Sequence, residues 1–164
     1  MGNSINRILV HLVFSTKRRR PFLTDETRPS LHAYMAGILR RLGCQVYAIN
    51  SVDDHIHLLF ALARMLSSSH TVSKLKSASS RWLKDQGGPL ADFAWQAGYA
   101  AFSVPQARNE IDELCRYIDR QREHHGVVDF ESELRTMLDE AGIEFDEVFV
   151  REEGGRVVGR VGRD

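Results

Sequence analysis

Val52-Asp53-Asp54-His55-Ile56-His57-Leu58-Leu59-Phe60 decides how the rest of the chain is read. Its β-branched, aromatic and leucine content predicts a strand. Alternation along a strand puts His55 and His57 on one face and Ile56, Leu58 and Phe60 on the other. The apolar set can be buried in a core. The two imidazoles then stand side by side, at a separation that one metal ion can bridge. Taken alone, such a pair is equally what a half-exposed strand carries on its solvated face, in a chain with seven histidines.

A second segment changes that balance. In residues 111–125, Ile111, Leu114, Cys115 and Ile118 recur at helical spacing and predict a buried stripe. Tyr117 and Gln121 are four apart, on one flank of that predicted helix. A tyrosine hydroxyl can attack a phosphodiester, and a glutamine carbonyl can complete a metal site begun by two histidines. The ordinary readings are an edge-of-core tyrosine and a surface glutamine, and only their shared register argues against them. Asp53 has the parity of the histidines and can orient an imidazole, but a turn aspartate is the simpler reading. His11 reads as structural, and His124 as a solvated last-turn histidine.

Outward from these segments, residues 8–15 predict a first strand and the basic run 17–20 ends it. Thr24 predicts a helix cap, followed by Leu31, Tyr34, Met35, Ile38 and Leu42 at helical spacing and a stop at Gly43. Residues 44–49 predict a strand joined by a polar turn to the histidine strand. A helix is predicted over 69–85, broken by Gln86-Gly87-Gly88-Pro89. A short strand over 99–104 follows, and Pro105 suits the first turn of the tyrosine helix. Residues 130–141 predict one more amphipathic helix, closed by Gly142. The order strand-helix-strand-strand-helix-strand is an α+β, ferredoxin-like (RRM-like) split βαβ pattern. It predicts an antiparallel sheet with helices on one face, plus an added C-terminal tyrosine-bearing helix. Residues 1–150 are expected to form one domain, and the Gly/Arg-rich stretch 151–164 a disordered tail.

The 164 residues carry 22 basic and 22 acidic side chains, so global charge argues neither for nor against nucleic acid. Any DNA footprint must come from local patches, and two are dense enough. One is Lys17, Arg18, Arg19 and Arg20; the other is Lys74, Lys76, Arg81 and Lys84 on the predicted second helix. Either is as readily a solvated face. Trp95, Tyr99 and Phe102 can stack on bases or pack in a core. Cys44 and Cys115 read as small buried hydrophobes of a reducing compartment. With no signal-peptide pattern and no apolar run of membrane-spanning length, a cytoplasmic protein is expected.

His55-Ile56-His57 with Tyr117-x-x-x-Gln121 resembles the HUH single-tyrosine (Y1) transposases of the IS200/IS605 group. Residues 11–19 (HLVFSTKRR), 95–104 (WQAGYAAFSV) and His124-His125 fit the same pattern, so the resemblance spans roughly residues 5–130. It implies Tyr117 as nucleophile, with His55, His57 and Gln121 holding Mg²⁺ or Mn²⁺. It further implies single-stranded DNA substrates with hairpin-forming ends, a 5′-phosphotyrosine intermediate and a homodimer, with Lys17, Arg18, Arg19, Lys74, Lys76 and Arg81 as candidate DNA contacts. Phosphodiester exchange conserves bond energy, which agrees with the lack of a Walker-type glycine loop. Two other readings stay open. One is a non-catalytic ferredoxin-like nucleic-acid-binding protein; the other is a hydrolase using the His-x-His pair with Asp53 or Asp54 as base.

Overall fold

The structure is a computed structural model and describes residues 4–151. Four strands, β1 (Leu9–Ser15), β2 (Gln45–Ser51), β3 (His55–Ala61) and β4 (Ala100–Ser103), form one sheet in the order β2-β3-β1-β4. All three pairings are antiparallel. The helix α1 (Thr27–Arg41) joins β1 to β2, with β3 inserted between them, and α2 (Ser68–Asp85) joins β3 to β4. Four further helices follow: α3 (Arg108–Asp119), α4 (Gln121–His125), α5 (Phe130–Glu140) and α6 (Glu147–Arg151).

Strand parity sorts the sheet into two faces. Val10, Leu12 and Phe14 of β1 and Ile56, Leu58 and Phe60 of β3 enter one apolar cluster with Leu31, Met35 and Leu39 of α1 and Val72, Leu75 and Leu83 of α2. The opposite parity meets the later helices. Leu9, Leu59 and Ala61 pack with Ile111 and Ile118 of α3, and Val13 and Ala100 with Phe130, Leu134 and Leu138 of α5. Helices therefore cover both faces, not one, and every residue of β1 and β3 is buried. The solvated strand face that His-x-His allowed does not exist.

Local signals place most boundaries. Ser67 caps α2 by accepting from the His70 amide, and Asp129 caps α5 by accepting from Ser132. Gly43 and Gly142, at φ +85° and +65°, supply the left-handed residues that end α1 and α5. Two starts differ from expectation. The helix after Thr24 begins at Thr27, whose amide is 3.3 Å from Thr24 Oγ1. The tyrosine helix begins at Arg108, beyond Pro105. The expected tail lies outside the described residues, apart from Arg151, which closes α6. No helix of the described residues is long and apolar enough to cross a membrane.

Candidate active site

Parity and pairing bring four histidines and two polar residues together on the sheet face covered by α3, α4 and α5. His55 and His57 are 1% and 0% exposed. His11 on β1 lies diagonally across from His57, because Val13 is its direct partner. His11 Nε2 and His57 Nδ1 are 3.0 Å apart, and His55 Nδ1 is 2.6 Å from Asp54 Oδ1. Each strand histidine thus has its Nδ1 occupied, which fixes the ring and turns Nε2 inward. His11 is an orienting partner, and Asp54 fills the role considered for Asp53. Asp53 instead pairs with Arg28 at 2.8 Å. With both aspartates engaged, the hydrolase reading keeps neither of the bases it nominated.

The helix expected over 111–125 is broken. Arg120, at φ −95° and ψ 18°, leaves the helical region and separates α3 from α4. Asn50 of β2, the cross-strand partner of His57, caps the break. Its Nδ2 donates to the carbonyls of Ile118 and Asp119 at 2.9 and 3.0 Å, satisfying the open end of α3. The chain then re-enters a helix at Gln121, which is fully buried. Tyr117 stays on α3, half-buried, its ring 5.8 Å from that of His57 and 5.3 Å from that of His124. A shallow groove lined by Glu113, Arg116, Tyr117, Arg120 and His124 runs along its outer side.

Two site residues were not expected from sequence: His125 and Glu133. His125 Nε2 lies 2.9 Å from His55 Nε2, 2.9 Å from Gln121 Oε1 and 2.7 Å from Glu133 Oε2. Gln121 Nε2 is 3.3 Å from Glu133 Oε1. Gln121 therefore reaches the cluster as expected, with its carbonyl toward His125 and its amide toward Glu133. His55, His57, His125 and Glu133 can each present one donor atom such that all lie within 4.8 Å of one another. Inside this polar pocket His57 Nε2 has no hydrogen-bond partner, and Glu133 Oε2 makes no contact of hydrogen-bond length beyond its ion pair with His125 Nε2 at 2.7 Å. Buried donors and acceptors are rarely left orphaned, and here an unpartnered imidazole nitrogen faces a buried carboxylate at 3.5 Å. That fits a divalent cation. The signal for Glu133 was present: it falls on the stripe Phe130, Glu133, Leu134, Met137, where a carboxylate should not be buried without cause.

Electrostatics agree with metal-ready ligands. Burial pushes His57 down, against the pull of Glu133, and takes His11 to about 3 and His125 to about 4, with neighbouring histidines adding to both. For His55, burial is outweighed by Asp54 and Glu133, which raise it. Burial would raise Glu133, but His55 and His57 hold it below the usual carboxylate range. The pocket thus sets three imidazoles pushed toward the neutral form, His11, His57 and His125, and one drawn toward the charged form, His55, around an anionic carboxylate.

The candidate DNA contacts divide. Lys76 is committed to the fold: its Nζ donates to the carbonyls of Gln96 and Gly98 at 2.6 and 2.8 Å, and burial lowers it to about 8. Arg19 is paired with Glu131 and lies over the Phe130 ring. Lys17, Arg18, Lys74 and Arg81 are exposed. Ser15 pairs with His55, so Lys17 and Arg18 leave the sheet at the His55 end, whereas Lys74 and Arg81 ride on α2 across the sheet from the histidines. Trp95 is a core residue, its indole N–H donating to Ser79 at 2.9 Å, and is not free to stack on a base.

Comparison with known proteins accords with this geometry. The chain is 27% identical over 122 residues to the ISDra2 transposase TnpA of Deinococcus radiodurans, covering 69% of this chain and 83% of that protein. Its fold is shared with a transposase from Deinococcus radiodurans R1, at a TM-score of 0.58 and 23% identity over 74% of this chain and 95% of the other. It is shared also with a REP-associated tyrosine transposase bound to a REP hairpin, at a TM-score of 0.55 and 16% identity over 78% and 76%. The family described as "Transposase IS200 like" matches residues 4–121, a span that opens before β1 and closes on Gln121 itself. The chain belongs to the IS200-like transposases, the single-tyrosine enzymes that nick and transfer DNA strands.

Proposed function

We propose that this protein cleaves and rejoins single-stranded DNA through a 5′-phosphotyrosine on Tyr117, beside a divalent metal held by His55, His57 and Gln121. The observation that carries the proposal is the Tyr117 ring standing 5.8 Å from the buried His57 ring. A nucleophile and a pair of buried imidazoles thus occupy one small volume. Mg²⁺ or Mn²⁺ bound there would neutralise charge building on the scissile phosphate. The chain's residues do the rest. Asp54 and His11 hold the two strand histidines in their ligating tautomers. Asn50 caps the end of α3, and Tyr117 and Gln121 approach the site from separate helices. Tyr117 gives up its phenolic proton and bonds to phosphorus. The P–O3′ bond breaks, and the departing oxygen leaves as a 3′-hydroxyl. The reverse step, with another 3′-hydroxyl, joins a new strand.

The scaffold is read as a ferredoxin-like core with the tyrosine helix added to its second face. The substrate is read as element ends that fold into hairpins, and the working form as a homodimer. The related REP-associated transposase was captured on a REP hairpin, which supports the substrate reading. Lys17 and Arg18 are the phosphate contacts nearest the histidines. The test is covalent capture. Wild-type protein with labelled single-stranded element ends and Mn²⁺ forms a denaturant-stable adduct. Tyr117→Phe, which keeps the ring and loses only the hydroxyl, forms none. An adduct in that variant sinks the proposal, and absence of an adduct in the wild type favours the non-catalytic binding reading.

A further inference from the structure

We infer that Glu133 is a direct ligand of the same metal, so that the centre is completed by a carboxylate from α5, in the segment following the family-matched region. The inference rests on a metal binding where the proposed function needs one, and adds a residue that the two-histidine-one-glutamine set lacks. Glu133 is 4% exposed. Its ion-pair partners among the described residues are all histidines, with no lysine or arginine. Its charge is therefore offset by imidazoles alone, and a metal bound among the same imidazoles would offset it directly.

The distances point the same way. Glu133 Oε1 is 3.5 Å from His57 Nε2, and Glu133 Oε2 is 3.6 Å from His55 Nε2. These are too long for hydrogen bonds. They suit donors sharing an ion: two atoms each about 2.1 Å from one cation stand about 3.0 Å apart at a right angle and about 3.4 Å apart at the tetrahedral angle. His57 Nε2, which has no hydrogen-bond partner, belongs to this set, while Glu133 Oε2 also reaches His125 Nε2 at 2.7 Å. Glu133 is also held in place. Asp129 caps its helix at 2.9 Å, Phe130 stacks on His55 with ring centroids 4.2 Å apart, and Leu134 and Leu138 pack against β1 and β4. Gln121 Nε2 donates to the same carboxylate, an orienting contact of the kind that supports a ligand. Two imidazoles with one carboxylate hold Mn²⁺ more firmly than Mg²⁺, which binds imidazole poorly.

The experiment titrates metal-free protein with Mn²⁺ alone, reading free Mn²⁺ by EPR and melting temperature in parallel. Wild-type protein takes up Mn²⁺ and melts higher with it. Glu133→Gln keeps the shape but loses the charge; its Mn²⁺ Kd rises at least tenfold, and most of the metal-induced rise in melting temperature disappears. Its metal-free melting temperature falls, because His55 and His125 lose a charged partner, so the metal-induced rise is read against each protein's own metal-free value. Tyr117→Phe binds Mn²⁺ like wild type. Failure of this inference and failure of the transposase reading are therefore separate results: the first is an unchanged Mn²⁺ Kd in Glu133→Gln, the second a missing covalent adduct in wild type. Should Glu133→Gln not fold, anomalous diffraction from wild-type crystals grown with Mn²⁺ decides. A peak within about 2.3 Å of a Glu133 oxygen is expected. A peak on the two histidines with the carboxylate turned away overturns the inference.

Discussion

The two faces of the sheet are built from the same two strands by opposite rules. On the α1/α2 face, Leu12, Phe14, Ile56, Leu58 and Phe60 pack into one apolar cluster, where Phe14 meets the edge of Trp95 and lies under the Lys76 ammonium at 5.0 Å. Burial there stabilises the fold and asks nothing of geometry beyond close packing. On the α3/α5 face the alternate residues include His11, His55 and His57, just as buried, beside Gln121 and Glu133. Burial there costs stability unless each polar atom finds a partner. One face therefore holds the molecule together, and the other is held in place by it.

Adjacent residues of β3 give the largest contrast. His57→Ala should reduce strand cleavage to background while leaving DNA binding largely intact, because phosphate contacts come from other residues. Leu58→Ala, one residue on and facing the opposite way, should cost about 2–5 kcal/mol of stability and leave Mn²⁺ affinity unchanged. Cleavage assays, filter binding and denaturant melts of the two variants check this. Cleavage surviving in His57→Ala would remove the metal role from the polar face. A metal defect in stable Leu58→Ala protein would show the faces are not independent.

Much of this contrast is legible in sequence. Period-two alternation in residues 52–60 assigns both faces of β3, and helical periodicity assigns α1, α2 and the Ile111/Ile118 stripe, since both patterns are local. What escapes is long-range. The helix break at Arg120 is capped by Asn50, some seventy residues earlier, whose side chain takes the last carbonyls of α3. No pattern within 111–125 carries it. His125 escapes because it is ordinary on its own helix, and Glu133, although out of place on an apolar stripe, shows its partners only where α5 folds over β3. Lys76 and Arg19 mislead for a related reason: a basic run shows charge, not whether that charge is already spent on carbonyls or a glutamate.

Acid should weaken both faces in the metal-free protein, through half-buried histidines held neutral. Partial burial, with Arg28 nearby, lowers His32 on α1 to about 4, and His125 on the polar face is lowered to about 4. Each folded value lies below the unfolded 6.5, so between the two the unfolded chain binds more protons. The stability they contribute is complete above about pH 6.5 and is lost as pH falls toward 4. Melting temperatures across that range should drop. Mn²⁺ should flatten the fall at its upper end, where it competes with protons for the polar-face ligands. His32→Gln should reduce the slope by the same amount with and without Mn²⁺. A metal-dependent change in that variant would mean the apolar face feels the metal.

The smallest effect separates the two basic patches. Lys17 and Arg18 leave β1 at the His55 end in a tight turn, with Arg18 and Arg19 at φ 56° and 50°. Two consecutive non-glycine residues in the left-handed region persist only when their surroundings enforce them. Thr16 Oγ1 donating to the Arg20 carbonyl at 2.7 Å and the Arg19–Glu131 pair do so here. The turn is tied to α5, and so to the site, while the Lys17 and Arg18 side chains stay exposed. Lys74 and Arg81 are equally charged and equally exposed, but their helix packs on the far face. Replacing Lys17 and Arg18 together by Ala should weaken single-stranded DNA binding at low salt. The slope of log affinity against log salt should fall by about 0.7 for each phosphate that is no longer neutralised. Replacing Lys74 and Arg81 together should leave both affinity and slope in place. Arg19 is kept out of the comparison because its loss would loosen α5 as well. Equal losses from the two pairs would mean that DNA wraps across both faces, and a loss confined to Lys74 and Arg81 would move the DNA path away from the histidines altogether.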